Sequence, residues 1–288
     1  MNRGVEGVGT TAVAAAAARA LETTRDDALV TDPWAAALVE ASGLTVPFPS
    51  EWPRDPTAAS PLEQSMLLGS SYLGLRTRFI DDELTAGGLI QVVVLGSGLD
   101  TRAWRLEWPP GAVVFELDGE AVLGLKASVL AGIAPSARRV PVVADVTEPW
   151  ASAIIATGFD PRRPTHWVLE GLLPYLRSHD QAEVLADIVH LSAHGSRAVI
   201  ERAVPIEDTP QTQERLETFA LATGLPMDEV LARTDPPDPL EILHAAGWHA
   251  EEHGLDALEM RYDRLLRPTG ATGSPGRGGF VTAKRPLI

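Results

Sequence analysis

The chain contains no cysteine. That absence excludes disulfides, thiolate zinc sites, iron–sulfur ligation and a cysteine nucleophile together, and nothing in the sequence requires an oxidising compartment. Basic residues are also in deficit: 24 Lys plus Arg stand against 39 Asp plus Glu, a formal charge of −15. Such a surface repels polyphosphate backbones and anionic lipid, which makes nucleic acid and membranes poor partners. No stretch approaches the ~18 consecutive apolar residues of a membrane span. The alanine-dominated run Ala12 to Ala18 leads directly into Arg19, Glu22 and Arg25 and reads as an amphipathic helix, not a signal peptide. A cytoplasmic protein is expected. No metal centre is expected either, because His190 and His194 on one helix and His249 and His253 in an extended stretch lack a neighbouring glutamate or a third ligand.

What is present is enough apolar residue, 45% of 288, to bury a large core. Residues 1–88 read as a helical layer: Thr10 to Thr24, a helix opened by Asp32 as N-cap with Pro33 at its first position, and a long helix from Pro61 to Ala86. Between the last two, Gly43 to Ser60 carries four prolines with Phe48 and Trp52 and suits a lid. From Leu89 the texture changes to β-branched apolar runs alternating with helical stretches, which predicts a parallel sheet in an α/β core over 89–204. Strands are expected at Leu89 to Leu95, Ala112 to Leu117, Arg139 to Ala144, His166 to Leu169 and Ser196 to Glu201. Residues 205–239 interrupt the rhythm as an inserted cap with two short helical patterns. Residues 240–288 complete the sheet with two more strands, at Trp248 to His253 and Phe280 to Ala283, joined through a Gly-rich loop from Thr269 to Gly279.

In such a sheet ligands bind beyond the carboxyl ends of the strands. Those ends read Gly96-Ser97-Gly98, Asp118, Asp145 and Glu170. Glycines permit a tight turn and close backbone approach, and an acid after the second strand accepts both hydroxyls of a ribose. A dinucleotide enzyme prefers a third glycine three positions after Gly98, but Thr101 stands there. The pattern therefore favours an adenosine ligand without phosphates. Asp100 reads equally as a ligand contact and as the cap of the next helical turn. Trp34 and Trp52 lie in segments expected to cover the site and are substrate-pocket candidates.

The ordered motifs Leu95-Gly96-Ser97-Gly98-Leu99-Asp100-Thr101-Arg102, Phe115-Glu116-Leu117-Asp118 and Glu170-Gly171-Leu172-Leu173-Pro174-Tyr175-Leu176 resemble the leucine carboxyl methyltransferase family, in its actinobacterial branch of S-adenosylmethionine-dependent O-methyltransferases. Tyr72 to Asp81 and Thr31 to Ala35 fit the same family. The resemblance implies a class I methyltransferase fold, Rossmann-like, with a seven-stranded mostly parallel sheet, and S-adenosyl-L-methionine as cofactor. It places Arg76 and Arg19 at the methionine carboxylate, Gly96 and Gly98 against the cofactor, Asp118 on the ribose, Asp145 and the Val146 amide at the adenine edge, and Glu170 near the amino group. Tyr175 would shape the acceptor pocket. Ser97 and Gly119 depart from the family's usual alanine and polar residue.

The implied reaction is methyl transfer to an oxygen of a small-molecule acceptor. A carboxylate is already ionised at neutral pH and needs no base, whereas a phenol does. The resemblance favours the carboxylate, and His179, just past Tyr175, is the candidate base for a phenol or other hydroxyl. Methylation of a protein C-terminal carboxylate stands as an alternative, as does, from another class, a nicotinamide-dependent oxidoreductase, against which Thr101 argues.

Overall fold

The computed structural model describes residues 9–202, 209–224, 236–266 and 278–287. Three α-helices precede the first strand. Helix α1 (Thr10–Thr23) is built from the alanine run, the best of helix formers. Helix α2 (Ala35–Ser42) starts later than Asp32-Pro33 implied, with Trp34 as its N-cap. The difference is electrostatic. Asp32 is buried: its Oδ2 accepts from Arg19 Nε at 3.0 Å and from Thr101 Oγ1 at 2.8 Å, while its Oδ1 accepts from Trp34 N–H at 3.2 Å, so it caps the turn that leads into α2 and is an internal ion-pair partner as well. Helix α3 (Pro61–Gly87) opens on a reciprocal capping box between Ser60 and Glu63 with Pro61 at the first position. Its 27 residues extend roughly 40 Å.

The strands are β1 (Gln91–Leu95), β2 (Val113–Asp118), β3 (Arg138–Val143), β4 (His166–Leu169), β5 (Arg197–Glu201), β6 (His249–Gly254) and β7 (Gly279–Lys284). They form one sheet in the order β3-β2-β1-β4-β5-β7-β6, parallel throughout except for β7, which runs against both neighbours. Successive side chains leave a strand on opposite faces. Val93, Leu95, Trp167 and Leu169 therefore enter one core, and Val92, Val94 and Val168 enter the other. Burial on both faces is the reason these strands are continuous apolar runs.

The remaining helices are α4 (Arg102–Arg105), α5 (Glu120–Val129), α6 (Ala151–Ala156), α7 (Ser178–His190), α8 (Pro210–Thr223), α9 (Pro239–Ala245) and α10 (Leu255–Tyr262). Helix α1 packs on α2 and α3, and α2 packs on α5, which sets the N-terminal layer over the carboxyl ends of the central strands. Helix α10 has no counterpart in the sequence reading, since it buries only Leu258 and Glu259 and so lacks an apolar period. Of the expected cap, the first helical pattern is α8; the second lies outside the described residues, as does most of the Gly-rich loop. No helix among the described residues is long and apolar enough to cross a membrane.

Candidate active site

Strand order reverses direction at β1 and β4, and the carboxyl ends of β1, β2 and β4 open there into a cavity of about 540 Å³. That is the expected crevice of a wound sheet, and its size lies within the range of small-molecule sites. The turn after β1 forms its floor. Gly96 and Gly98 have φ of 61° and 48°, a left-handed backbone that side chains resist. Gly98 N–H donates to Asp118 Oδ2 at 2.7 Å and Gly119 N–H to Oδ1 at 2.7 Å. Each carboxylate oxygen thus holds one amide and keeps a lone pair for a ligand. Beneath the turn, fully buried Lys126 pairs with Glu116 at 2.8 Å and donates to Ser97 Oγ at 3.4 Å, which gives a role to a serine that departs from the family habit.

Arg19 and Arg76 both line the cavity and both are buried. A solvated helix face, the alternative for Arg19, does not apply: its Nη2 donates to Leu99 O at 2.6 Å while Nε holds Asp32. Arg76 donates from Nε to Glu170 at 2.8 Å and from Nη1 to Glu201 Oε2 at 3.0 Å. On the other side of Glu170, Arg102 Nη1 approaches Oε2 at 2.5 Å, and the same guanidinium holds Asp100 and, at 2.7 Å, Asp81. Arg105 closes on Asp81 at 2.5 Å, and Tyr72 donates to Glu201. Four carboxylates face three guanidiniums in this chain, leaving one negative charge in excess. Burial alone would raise the Glu170 carboxyl; Arg102 and Arg76 outweigh it and hold the group at about 2. Burial is likewise outweighed at Asp100, where Arg102 keeps the carboxyl low.

Of the residues singled out in the sequence, Arg19, Arg76, Gly96, Gly98, Asp118, Glu170 and Tyr175 meet at this cavity. Asp100 lines it too and accepts from Arg102 N–H at 2.6 Å, the capping role weighed for it. Asp145 and Val146 follow β3 outside the lining, where Asp145 Oδ1 accepts from Thr147 N–H at 2.8 Å. Trp34 and Trp52 also stand apart. Trp34 packs on the core beside α3, and Trp52 stacks under Arg25 at 3.9 Å. His179 is exposed on α7, paired with Glu183 at 3.2 Å, away from the cavity. His166 is buried at the opposite, amino end of β4, where burial and then Arg197 depress it to about 3.

The sequence reading placed Phe48 in a lid segment, and it assigned no site role to Met66, Gly69 and Leu73 in the cavity wall or to Asp81, Arg102, Arg105 and Glu201 in the charged chain. One signal was available. Glu201 closes β5, and the rule that found acids at the ends of β2, β3 and β4 selects it when applied once more.

Residues 12–189 match the family model described as leucine carboxyl methyltransferase. A protein of Saccharopolyspora erythraea is 40% identical over 286 residues, covering 98% of this chain and 96% of its own length. One of Mycobacteroides abscessus is 39% identical over 260 residues, 84% of each chain. Each is named a "putative S-adenosyl-L-methionine-dependent methyltransferase". Among solved structures, a DUF574 family protein of Streptomyces avermitilis superposes with a TM-score of 0.57 at 14% identity, over 97% of this chain and 98% of its own. A Thermobifida fusca protein gives 0.55 at 20% identity, over 95% and 94%. These two speak to the fold, which is that of class I methyltransferases.

Proposed function

The chain belongs to the leucine carboxyl methyltransferase family and is an S-adenosylmethionine-dependent methyltransferase, and from that premise we propose that it methylates an oxygen of a small-molecule carboxylate. The observation that carries this reading is the lack of a base among the described lining residues. Glu170 and Asp100 are held ionised by arginine and make weak bases, Asp118 is engaged by the Gly98 and Gly119 amides and reserved for the ribose, the two lining cations are guanidiniums, and no histidine is among the described lining residues. A hydroxyl acceptor would need its proton removed, whereas a carboxylate arrives ready. The excess negative charge of the cavity suits a cationic sulfonium ligand, and the unused lone pairs of Asp118 suit a ribose.

When bound, S-adenosylmethionine supplies an activated methyl group: a C–O bond forms as the C–S bond breaks, the electron pair stays on sulfur, and no proton moves. The chain's own residues position and shield. Gly96 and Gly98 bring backbone to the ligand, Asp118 takes the ribose hydroxyls, and Glu170 faces the amino group. Arg76 already shares its guanidinium between Glu170 and Glu201, so Arg19, whose ion pair among the described residues is with Asp32, takes the larger part of the methionine carboxylate. Asp145 and the Val146 amide, beyond the described cavity lining at the end of β3, would meet an adenine edge that extends past Asp118. Alpha1 and the loop bearing Phe48 exclude water, and alignment of acceptor and methyl supplies the rate. We place the enzyme in the cytoplasm, on its cysteine-free, acidic composition.

Incubation with S-adenosylmethionine and matched pools of small carboxylic acids and phenols, read by mass spectrometry, tests the reading. We expect products heavier by one methyl group that release methanol in mild alkali. Alkali-resistant ethers formed only from the phenols would overturn the carboxylate.

A further inference from the structure

The cavity has two ends of different character. At one end are the strand termini already described. At the other, α3 contributes Ser65, Gly69, Leu73 and Arg76, spaced by four, four and three residues and so on one helical face. From Ser65 to Arg76 this stripe covers roughly 16 Å. Phe48 and Met66 flank it. The polar atoms along the wall are already satisfied: Ser65 Oγ donates to Pro61 O at 3.0 Å, and the Tyr175 hydroxyl has Thr11 as its partner. The only charge on the stripe is the guanidinium of Arg76, which Glu170 and Glu201 already hold. An apolar channel whose polar atoms are satisfied fits an acid with an apolar tail, and offers nothing to the amides of a peptide.

Gly69 lies in the middle of the stripe. Glycine is the poorest helix former after proline, so inside a helix it calls for a packing reason. Gly74 on the same helix has one, because a Cβ there would come within 2.6 Å of the buried Glu22 carboxyl carbon. A Cβ on Gly69 would meet only Phe48, at 4.0 Å, an ordinary contact. No packing demand keeps position 69 bare, yet the bare position widens the channel. Resting on the carboxylate reading above, we propose that the acceptor is an apolar monocarboxylic acid whose carboxylate lies at the strand end of the channel, where a bound sulfonium would face it, and whose tail passes Gly69 between Phe48 and Met66, and that Gly69 sets the tail length accepted.

The experiment compares wild type, Gly69→Ala and Gly69→Leu with straight-chain acids from butanoate to dodecanoate. Methyl-ester formation gives kcat/KM for each acid, and calorimetry gives dodecanoate binding to the protein loaded with S-adenosylhomocysteine. The dodecanoate-to-butanoate ratio of kcat/KM should fall by about tenfold or more in Gly69→Leu and by about threefold in Gly69→Ala. Dodecanoate heat should vanish in the leucine variant while S-adenosylhomocysteine affinity stays within about twofold of wild type. Should Gly69→Leu not fold, the alanine variant carries the comparison. An unchanged ratio in a folded variant overturns the role of Gly69. Methylation of hydroxy acids or peptide C-termini and none of the series overturns the apolar acceptor but spares the carboxylate reading. Neither binding nor turnover with any of the series also overturns the apolar acceptor, and methylation of phenols alone removes both.

Discussion

Arg102 holds Asp81, Asp100 and Glu170 at once while only 2% exposed, and it is the residue on which the electrostatics of the cavity turn. Its removal leaves three buried carboxylates facing one another. Arg102→Met should cost about 3–5 kcal/mol of stability, the range for breaking a buried pair from one side, measured by urea unfolding at neutral pH. A loss under about 1 kcal/mol would mean that water already screens the chain. Asp118 behaves differently, since it sits at the cavity lip and supports only two loop amides. Asp118→Ala should weaken S-adenosylhomocysteine binding by about 1.5–3 kcal/mol by calorimetry, with the circular dichroism spectrum unchanged. An unfolded Asp118→Ala would assign the acid to the fold instead of the ligand.

Among the elements, α3 does the most for the site: it carries Tyr72 and Asp81 of the charged chain, the apolar stripe, and Arg76, which belongs to both. Its placement depends on close packing against α1, where Gly74 covers Glu22. That glutamate is fully buried and pinned by Arg264 at 2.9 Å and by Leu29 N–H at 2.8 Å, so it has no room to yield. Gly74→Ala is therefore expected to destabilise the protein by about 1–3 kcal/mol despite the better helix propensity of alanine. Gly69→Ala, with open space, should instead hold or raise the melting temperature. The pair separates packing from propensity on one helix. Equal melting temperatures for the two would show that Glu22 relaxes.

Over the whole molecule, stability is expected to fall with acid in two stages. The buried His166, held at about 3 against an ordinary 6.5, stays neutral in the folded state while the unfolded chain takes up a proton. Stability from this group is intact above pH 6.5 and declines toward pH 3, by of order 4 kcal/mol in all. Glu170, at about 2 against 4.5, adds a second loss that begins only below about pH 4.5. Urea melts between pH 7 and pH 5 should show the first slope in wild type and lose it in His166→Leu, where an unchanged slope would move the titrating group elsewhere. Ligand linkage gives an independent readout: S-adenosylhomocysteine should raise the melting temperature and NADH should not, because only a ligand of the native state stabilises it.

The sequence alone determined the strand and ligand logic of this protein, because both are local. A strand buried on two faces has to be an apolar β-branched run, as Val92 to Leu95 are, and the residues that end the central strands line the crevice, as Gly96, Gly98, Asp118 and Glu170 do, whereas Asp145, after the edge strand β3, does not. Pro61 likewise announced the start of α3, since a proline at the first helical position gives up no donor the helix needs. What the tertiary structure decided is the partnership of charges and the wall of the acceptor end. Asp32 keeps a cap bond from Trp34 N–H through Oδ1, yet its Oδ2 turns to Arg19 and to Thr101, 69 residues on. Arg76 meets Glu170 and Glu201 across 94 and 125 residues, and Trp34, Trp52 and His179, plausible by position in the chain, point to other surroundings. Desolvation and Coulomb attraction act through space, and no periodicity along the chain encodes which distant guanidinium a buried carboxylate will find.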